Sequence, residues 1–545
     1  MRGGVAVGGK GNPYEKLLSF LPVLAMATLA LLITLTTPLL GADPVSVPAT
    51  PPATAEEARL QERYPAYRGV DADYVHAGED AVERWKDQKW GLRIHWGLYT
   101  LNDDPKSNES WVIRDRLKDK EWQRRYYAAY TRFNPTAFDA NEWMRLIRRG
   151  GMTYFSFTTK HHEGFCLWPT KTLQRGFREQ PDGTFVEVVD TYSVAETPFR
   201  RDIVGELVQA GRSAGLGVSL YYSHIDWHDW DFGWDKLNFW HDGKFLSRAD
   251  DPARWDAFIR KEREQVTELL TNYGPIDTLC LDMNWLPEAK KDAYGVAKLA
   301  RELQPKIMLR NRGIGAYGDY ETPEGEIPED PNQVERPWQV IYPCGKGFSY
   351  RSNDVYGTKD WVLESLIDIV AKGGNFQIGF GPDPLGRWPQ EMHDRLAYVG
   401  DWLQVNGEAI YATRPYLRYH EGAGVRFTRS KDQGTVYAIL LSWPGPVFTS
   451  RLLKPQPGSD IRVLGHPDPL PWRQVGDAVE VTLPAGWEDE ARRPCRQAIV
   501  LKTVSRPWAE FQADLPRLEA LPKQKKRKDR EPSVKPSAKE AAGAE

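Results

Sequence analysis

Two hydrophobic periods alternate along the chain. Apolar residues spaced three and four apart predict amphipathic helices at about 139–149, 203–214, 251–272, 290–303 and 361–372. Short apolar runs predict strands at 91–97, 154–159, 218–222, 273–285, 306–310 and 375–381. Strands separated by helices argue for a parallel sheet joined by crossovers. Polar residues gather at one end of several of these runs, so the pattern predicts a closed (β/α)8 barrel rather than an open doubly wound sheet. After Pro415 the helical period disappears. Short strands at 435–443 and 498–502 alternate there with Pro and Gly turns, which predicts a β-sandwich.

The run at 273–285 is the most informative. A Gly274-Pro275 break leads into a mostly apolar stretch that ends in Asp282 and Trp285. A barrel strand delivers its charged side chain to the C-terminal rim, where catalytic groups sit, although an Asp there also suits a helix cap. His95 stands near the end of the first strand. His161 and His162 follow the second, and as neighbours on a strand they point to opposite faces unless the strand has ended or bulged. Between Ser223 and Asp229, His224 and His228 lie four apart around Asp226. This is the one cluster with metal-ligand spacing, amid Trp227, Trp230, Phe232 and Trp234.

Composition narrows the picture. With 72 Lys+Arg against 75 Asp+Glu the net charge is −3, so the body carries no electrostatic footprint for nucleic acid. Aromatic residues make up 12%, with 21 Trp, a surplus that suits sugar clefts and packed cores alike. Cys166, Cys280, Cys344 and Cys495 form no CxxC pair, which argues against a structural zinc or a disulfide scaffold. No GxGxxG follows the first strand and no phosphate-cradling Gly-Lys-Ser/Thr occurs, so no nucleotide cofactor is implied.

Arg2, Lys10 and Lys16 precede an apolar run at 17–40, a signal peptide or signal anchor within residues 1–42. Positive charge before the run places everything after it outside the membrane, so an exported protein is expected, with membrane anchoring through 17–40 if the run is kept. The domain reading is a linker at 43–75, a catalytic barrel at 76–414, a β-sandwich at 415–506 and a disordered basic tail at 507–545.

Taken together, 91–97, Lys160-His161-His162-Glu163-Gly164-Phe165, 221–227, 274–285, 379–386 and Asn406-Gly407-Glu408-Ala409-Ile410-Tyr411 resemble the retaining α-L-fucosidases of glycoside hydrolase family 29, over about 80–505. The resemblance implies an irregular (β/α)8 barrel followed by a β-sandwich, no cofactor or metal, and a fucosylated glycan as substrate. It implies Asp282 as nucleophile, and Glu324, in Asp319-Tyr320-Glu321-Thr322-Pro323-Glu324, as acid/base. His95, Trp111, His161, His162 and Arg312 match sugar-pocket positions. One of Tyr221 and Tyr222 joins them, and Tyr222, nearer the rim, is favoured. The chain departs from the family at Ser110-Trp111, where Glu109 is displaced by one, at Cys280, at His224 and in an insertion at 171–189. A non-catalytic fucose-binding relative, and a metal-dependent hydrolase using His224, Asp226 and His228, are the alternatives.

Overall fold

Alternating side chains explain the first half of the fold. In the computed structural model, which describes residues 52–101, 109–233, 237–241, 244, 246–282, 289–323, 328, 335–507 and 510, the strands in chain order are β1 (Trp90–Ile94), β2 (Tyr154–Lys160), β3 (Gln174–Glu179), β4 (Phe185–Asp190), β5 (Gly217–Ser223), β6 (Thr278–Asp282), β7 (Met308–Leu309), β8 (Gln339–Pro343) and β9 (Asn375–Phe380). Seven of them form one parallel sheet in the order β7-β6-β5-β2-β1-β9-β8. Leu92, Ile94, Phe155, Phe157, Val218, Leu220, Leu279 and Leu281 all enter one apolar core with residues of the surrounding helices. The residues between them face the barrel axis. There Arg93 donates to Ser156 Oγ at 2.7 Å and reaches Cys280 Sγ at 3.5 Å.

The intervening helices start where the sequence supplies a cap. Asp139, Asp202, Asp251 and Thr358 each accept a backbone N–H at the start of helices Ala140–Arg149, Ile203–Ser213, Pro252–Thr271 and Lys359–Ala371.

The ring closes through an eighth stave of two residues. Arg310 bridges Tyr320 and Glu321 bridges Trp338, both in parallel sense. Asn311 N–H donates to the Tyr320 carbonyl at 2.9 Å, and Gln339 N–H to the Glu321 carbonyl at 2.9 Å. This stave and β8 lie outside the predicted strands. A two-residue stave carries no period to detect, and β8 is only partly buried along its length.

The stretch read as a linker contains a helix. Ala55–Arg63 is capped by Thr54, and Leu60, Tyr64 and Tyr67 pack with Trp85, Met308 and Tyr320 beneath the barrel. Residues 43–51, the run at 17–40 and, apart from Pro507 and Glu510, the tail lie outside the described residues. Among the described residues no helix is long and apolar enough to cross a membrane. The insertion at 171–189 forms the antiparallel hairpin β3–β4.

Nine further strands follow: β10 (Arg414–Glu421), β11 (Val425–Arg429), β12 (Thr435–Leu440), β13 (Val447–Ser450), β14 (Ile461–Val463), β15 (Pro469–Leu470), β16 (Trp472–Val475), β17 (Ala478–Thr482) and β18 (Ile499–Val504). They form a six-stranded sheet, β10-β11-β12-β18-β14-β15, and a three-stranded one, β13-β17-β16. Val436, Ala438 and Leu440 of β12 face a second core shared by both sheets. Tyr437 and Ile439 between them face the barrel core. A strand covered on both sides must be apolar at every position, which is why β12 reads as a continuous apolar run.

Candidate active site

β6 ends on Asp282, and its alternation decides where the carboxylate points. Leu279 and Leu281 pack outward, so Cys280 and Asp282 turn to the axis. Arg312 Nη1 lies 2.7 Å from Asp282 Oδ1 and Arg310 Nη1 3.4 Å from the same oxygen, while the Tyr221 hydroxyl donates to Oδ2 at 2.6 Å. Burial alone would raise this carboxyl. The guanidinium groups of Arg310 and Arg312, with the Tyr221 hydroxyl, outweigh it and hold Asp282 well below the usual carboxylate range.

Tyr221, not Tyr222, faces the site. Tyr222 lies on the outward parity of β5 with Val218 and Leu220. Its hydroxyl donates to Gln265 Oε1 at 2.8 Å on helix Pro252–Thr271 and accepts from Lys160 Nζ at 3.1 Å. Parity, not distance from the rim, chooses the side of the sheet, and the apolar alternation Val218, Leu220 was the signal for it. Tyr221→Phe is therefore expected to lower kcat/KM about tenfold or more, the loss of a hydrogen bond to a charged group. Tyr222→Phe is expected to lower Tm while kcat/KM holds. Parallel kinetics and melting curves separate the two, and equal kinetic losses would overturn the assignment.

The histidine doublet is gathered by the end of β2. The β2–β5 register shifts between Thr158 and Lys160, and the strand stops there. The rings of His161 and His162 then lie 4.1 Å apart on the same side. His161 stacks on Tyr221 at 5.6 Å, and His95 lies 5.6 Å from His161 and 5.7 Å from Tyr221. Trp111 meets His162 edge-on at 5.4 Å and Trp227 at 5.2 Å, and Phe348 stacks on His95 at 4.9 Å. Burial lowers His95 and His161 well below the ordinary histidine value and His162 to about 4, so all three imidazoles are neutral near pH 7. The pocket thus presents one anion, held by two cations, among neutral rings.

His95, Trp111, His161, His162 and Arg312 are brought together around Asp282, whereas Glu324 lies outside the described residues. Glu109 Oε1 accepts the backbone N–H groups of Phe348 and Ser349 at 2.9 and 3.2 Å. Arg310 and Cys280 were not singled out as site residues. Arg310 donates to Cys280 Sγ at 3.3 Å, and although burial opposes it, Arg310 and Arg93 draw that thiol below its ordinary value.

The cluster His224, Asp226 and His228 does not converge. His224 Nδ1 pairs with Glu262 at 2.6 Å, Asp226 accepts the N–H groups of His228 and Asp229, and His228 stacks on Tyr192 at 3.7 Å. Among the described residues no three His, Cys, Asp or Glu side chains gather as metal ligands, and the four cysteines are free thiols.

The α-L-fucosidase family model matches residues 66–408, and that of the α-L-fucosidase C-terminal domain matches 421–503. The plasma α-L-fucosidase of Homo sapiens is 28% identical over 450 residues, 76% of this chain and 88% of its own. The α-L-fucosidase of Branchiostoma floridae is 27% identical over 480 residues, 82% of this chain and 96% of its own. Among solved structures, α-L-fucosidase isoenzyme 1 from Paenibacillus thiaminolyticus superposes with a TM-score of 0.64 at 26% identity, covering 79% of this chain and 99% of that one. These matches run through both the barrel and the strand domain behind it, and the chain belongs to the α-L-fucosidase family as a glycoside hydrolase.

Proposed function

We propose that the protein is a retaining, exo-acting α-L-fucosidase that removes terminal α-L-fucosyl residues from glycans by double displacement. The observation that carries this reading is the state of Asp282: ionised, buried and held on both oxygens by Arg312 and Tyr221. Such a carboxylate is a ready nucleophile toward an anomeric carbon. Its attack forms an aspartyl-fucosyl ester and expels the aglycone oxygen. Glu324 is assigned the proton given to that oxygen and, in the second half, the activation of water. It follows the closing stave by three residues along the sequence. The neutral rings of His95, His161 and His162, with the indole of Trp111, suit a single deoxy-sugar that offers hydroxyls on one side and a methyl group on the other.

The apolar run at 17–40 behind three positive residues supports export, with the run either removed or kept as an anchor.

Stereochemistry tests the mechanism. On hydrolysis of an aryl α-L-fucoside followed by proton NMR, α-L-fucose is expected first, with the β anomer growing in only by mutarotation. The β anomer first would replace double displacement with inversion. Saturable fucose binding without turnover would instead make the protein a fucose-binding relative.

A further inference from the structure

Two histidines of the pocket are backed by serine hydroxyls, and the two hydroxyls end differently. His162 Nδ1 lies 2.7 Å from Ser223 Oγ, whose proton goes to the Ile225 carbonyl at 2.9 Å. A carbonyl only accepts, so Ser223 must accept from His162 Nδ1–H, and His162 Nε2 carries a lone pair at every pH where the ring is neutral. His161 Nδ1 lies 2.7 Å from Ser110 Oγ in the same way. That hydroxyl, however, meets the Glu163 carboxyl on its far side and also accepts the Glu163 backbone N–H at 3.3 Å. All three residues are buried.

This second chain has one proton order for each charge state of its last member. When Glu163 is ionised, Ser110 donates to it, Oγ accepts from His161 Nδ1–H, and Nε2 is an acceptor. When Glu163 is protonated, it donates to Oγ, Ser110 donates to Nδ1, and the imidazole proton moves to Nε2. We propose that Glu163, through Ser110, sets the tautomer His161 presents to the sugar, as a donor when Glu163 is protonated and an acceptor when it is ionised. Glu163 and Ser110 are positioning residues here, and the proposal rests on His161 being a sugar contact.

The surroundings favour a carboxyl that changes state near neutrality. Buried Tyr99 and Tyr126 face Glu163, as do the carboxyls of Glu109 and Asp226, and the Tyr126 hydroxyl also reaches Ser110 while that of Tyr99 reaches Thr158. Among the described residues the one basic side chain within 4.0 Å of its carboxylate is the neutral His161, at 3.7 Å. A Cβ on Gly97 would stand 2.7 Å from Glu163 Oε1, so that glycine leaves the carboxyl its room. Burial, with these neighbouring carboxyls, pushes Glu163 up to about 8. Asp282 and His162 Nε2 already supply acceptors, while each sugar hydroxyl has two lone pairs and one proton. The donor form of His161 is therefore the better match.

Titration of L-fucose into the parent protein, Glu163→Gln and Ser110→Ala between about pH 5.5 and 9.5 tests the relay. In the parent, affinity is expected to fall about five-fold, the worth of one neutral hydrogen bond, as pH rises through about 8. Glutamine donates to Ser110 at every pH, so Glu163→Gln is expected to keep the tight low-pH value throughout, and Ser110→Ala to lose the step. A parent without the step, or a step that survives in Glu163→Gln, overturns the relay. His161→Ala separates the underlying assumption, since unchanged fucose affinity in that variant removes His161 from the sugar site whatever Glu163 does. Should Glu163→Gln misfold, long-range proton–nitrogen spectra of histidine-labelled parent give the same reading. The His161 proton is expected to pass from Nε2 to Nδ1 as pH rises, and a fixed Nδ1–H tautomer, as at His162, overturns the proposal.

Discussion

Asp282→Ala is expected to lower kcat/KM on an aryl α-L-fucoside on the order of ten-thousand-fold, the scale of losing a covalent nucleophile. Without the carboxylate the aspartyl-fucosyl ester cannot form. The small anion azide fits the space left by the side chain and is cationically attracted, since Arg312 and Arg310 both aim at Asp282 Oδ1. Added azide is therefore expected to restore part of the turnover, giving β-L-fucosyl azide through a single displacement with inversion. Asp282→Asn should lose activity to the same degree, because it keeps the shape but not the charge. Both variants leave Arg310, which is buried, with less counter-charge, so a lower Tm is expected as well. Kinetics with and without azide, and the product anomer by NMR, check this. Turnover that survives in Asp282→Ala would remove Asp282 from the mechanism.

Arg312→Met is expected to reduce kcat/KM about a hundredfold and to move the acid limb of its pH profile upward. The sign follows from the balance at Asp282. Burial pushes that carboxyl up, while Arg310 and Arg312 pull it well below 3.8. Removing one guanidinium shifts it back toward the ordinary range, and a protonated Asp282 cannot attack. The same balance governs stability. A depressed carboxylate contributes stability that is present above its unfolded value and is lost as pH falls through the lower folded value. Arg312→Met should therefore lose more Tm at pH 7 than in strong acid. An unmoved acid limb would mean that Arg310 alone sets the ionisation of Asp282.

Most of the barrel was legible as alternating periods because its helices are amphipathic and its strands apolar on the side that meets them. Where an element is too short for a period, the signal fails. The stave Tyr320–Glu321 closes the ring with a pair of bridges and reads along the sequence as loop. The helix Ala55–Arg63 was lost for another reason: its mostly polar composition, between Pro-rich and charged stretches, hides the one stripe through Leu60 that is buried. At the site, Asp282 was legible because a lone carboxylate ended an apolar run. Tyr221 against Tyr222 was also decidable, but only by parity with Val218 and Leu220.

What the sequence determined by itself was local: which segments are helix or strand, where each strand ends, and which charged or aromatic side chain is left there. Chain connectivity imposes these through periodicity, caps and breakers, all within a few residues. What tertiary structure alone decided was which distant ends meet. Ser110 and Glu163 are 53 positions apart and Tyr221 and Asp282 are 61, yet each pair is in hydrogen-bond contact. Closing the barrel brings strand ends to a common rim, and burial there removes the water that would otherwise hold each group near its ordinary pKa. The same three histidines would be ordinary titrating side chains in an unfolded chain. Only the closed rim makes them neutral, and at His161 and His162 only the partner behind each serine chooses which nitrogen carries the proton.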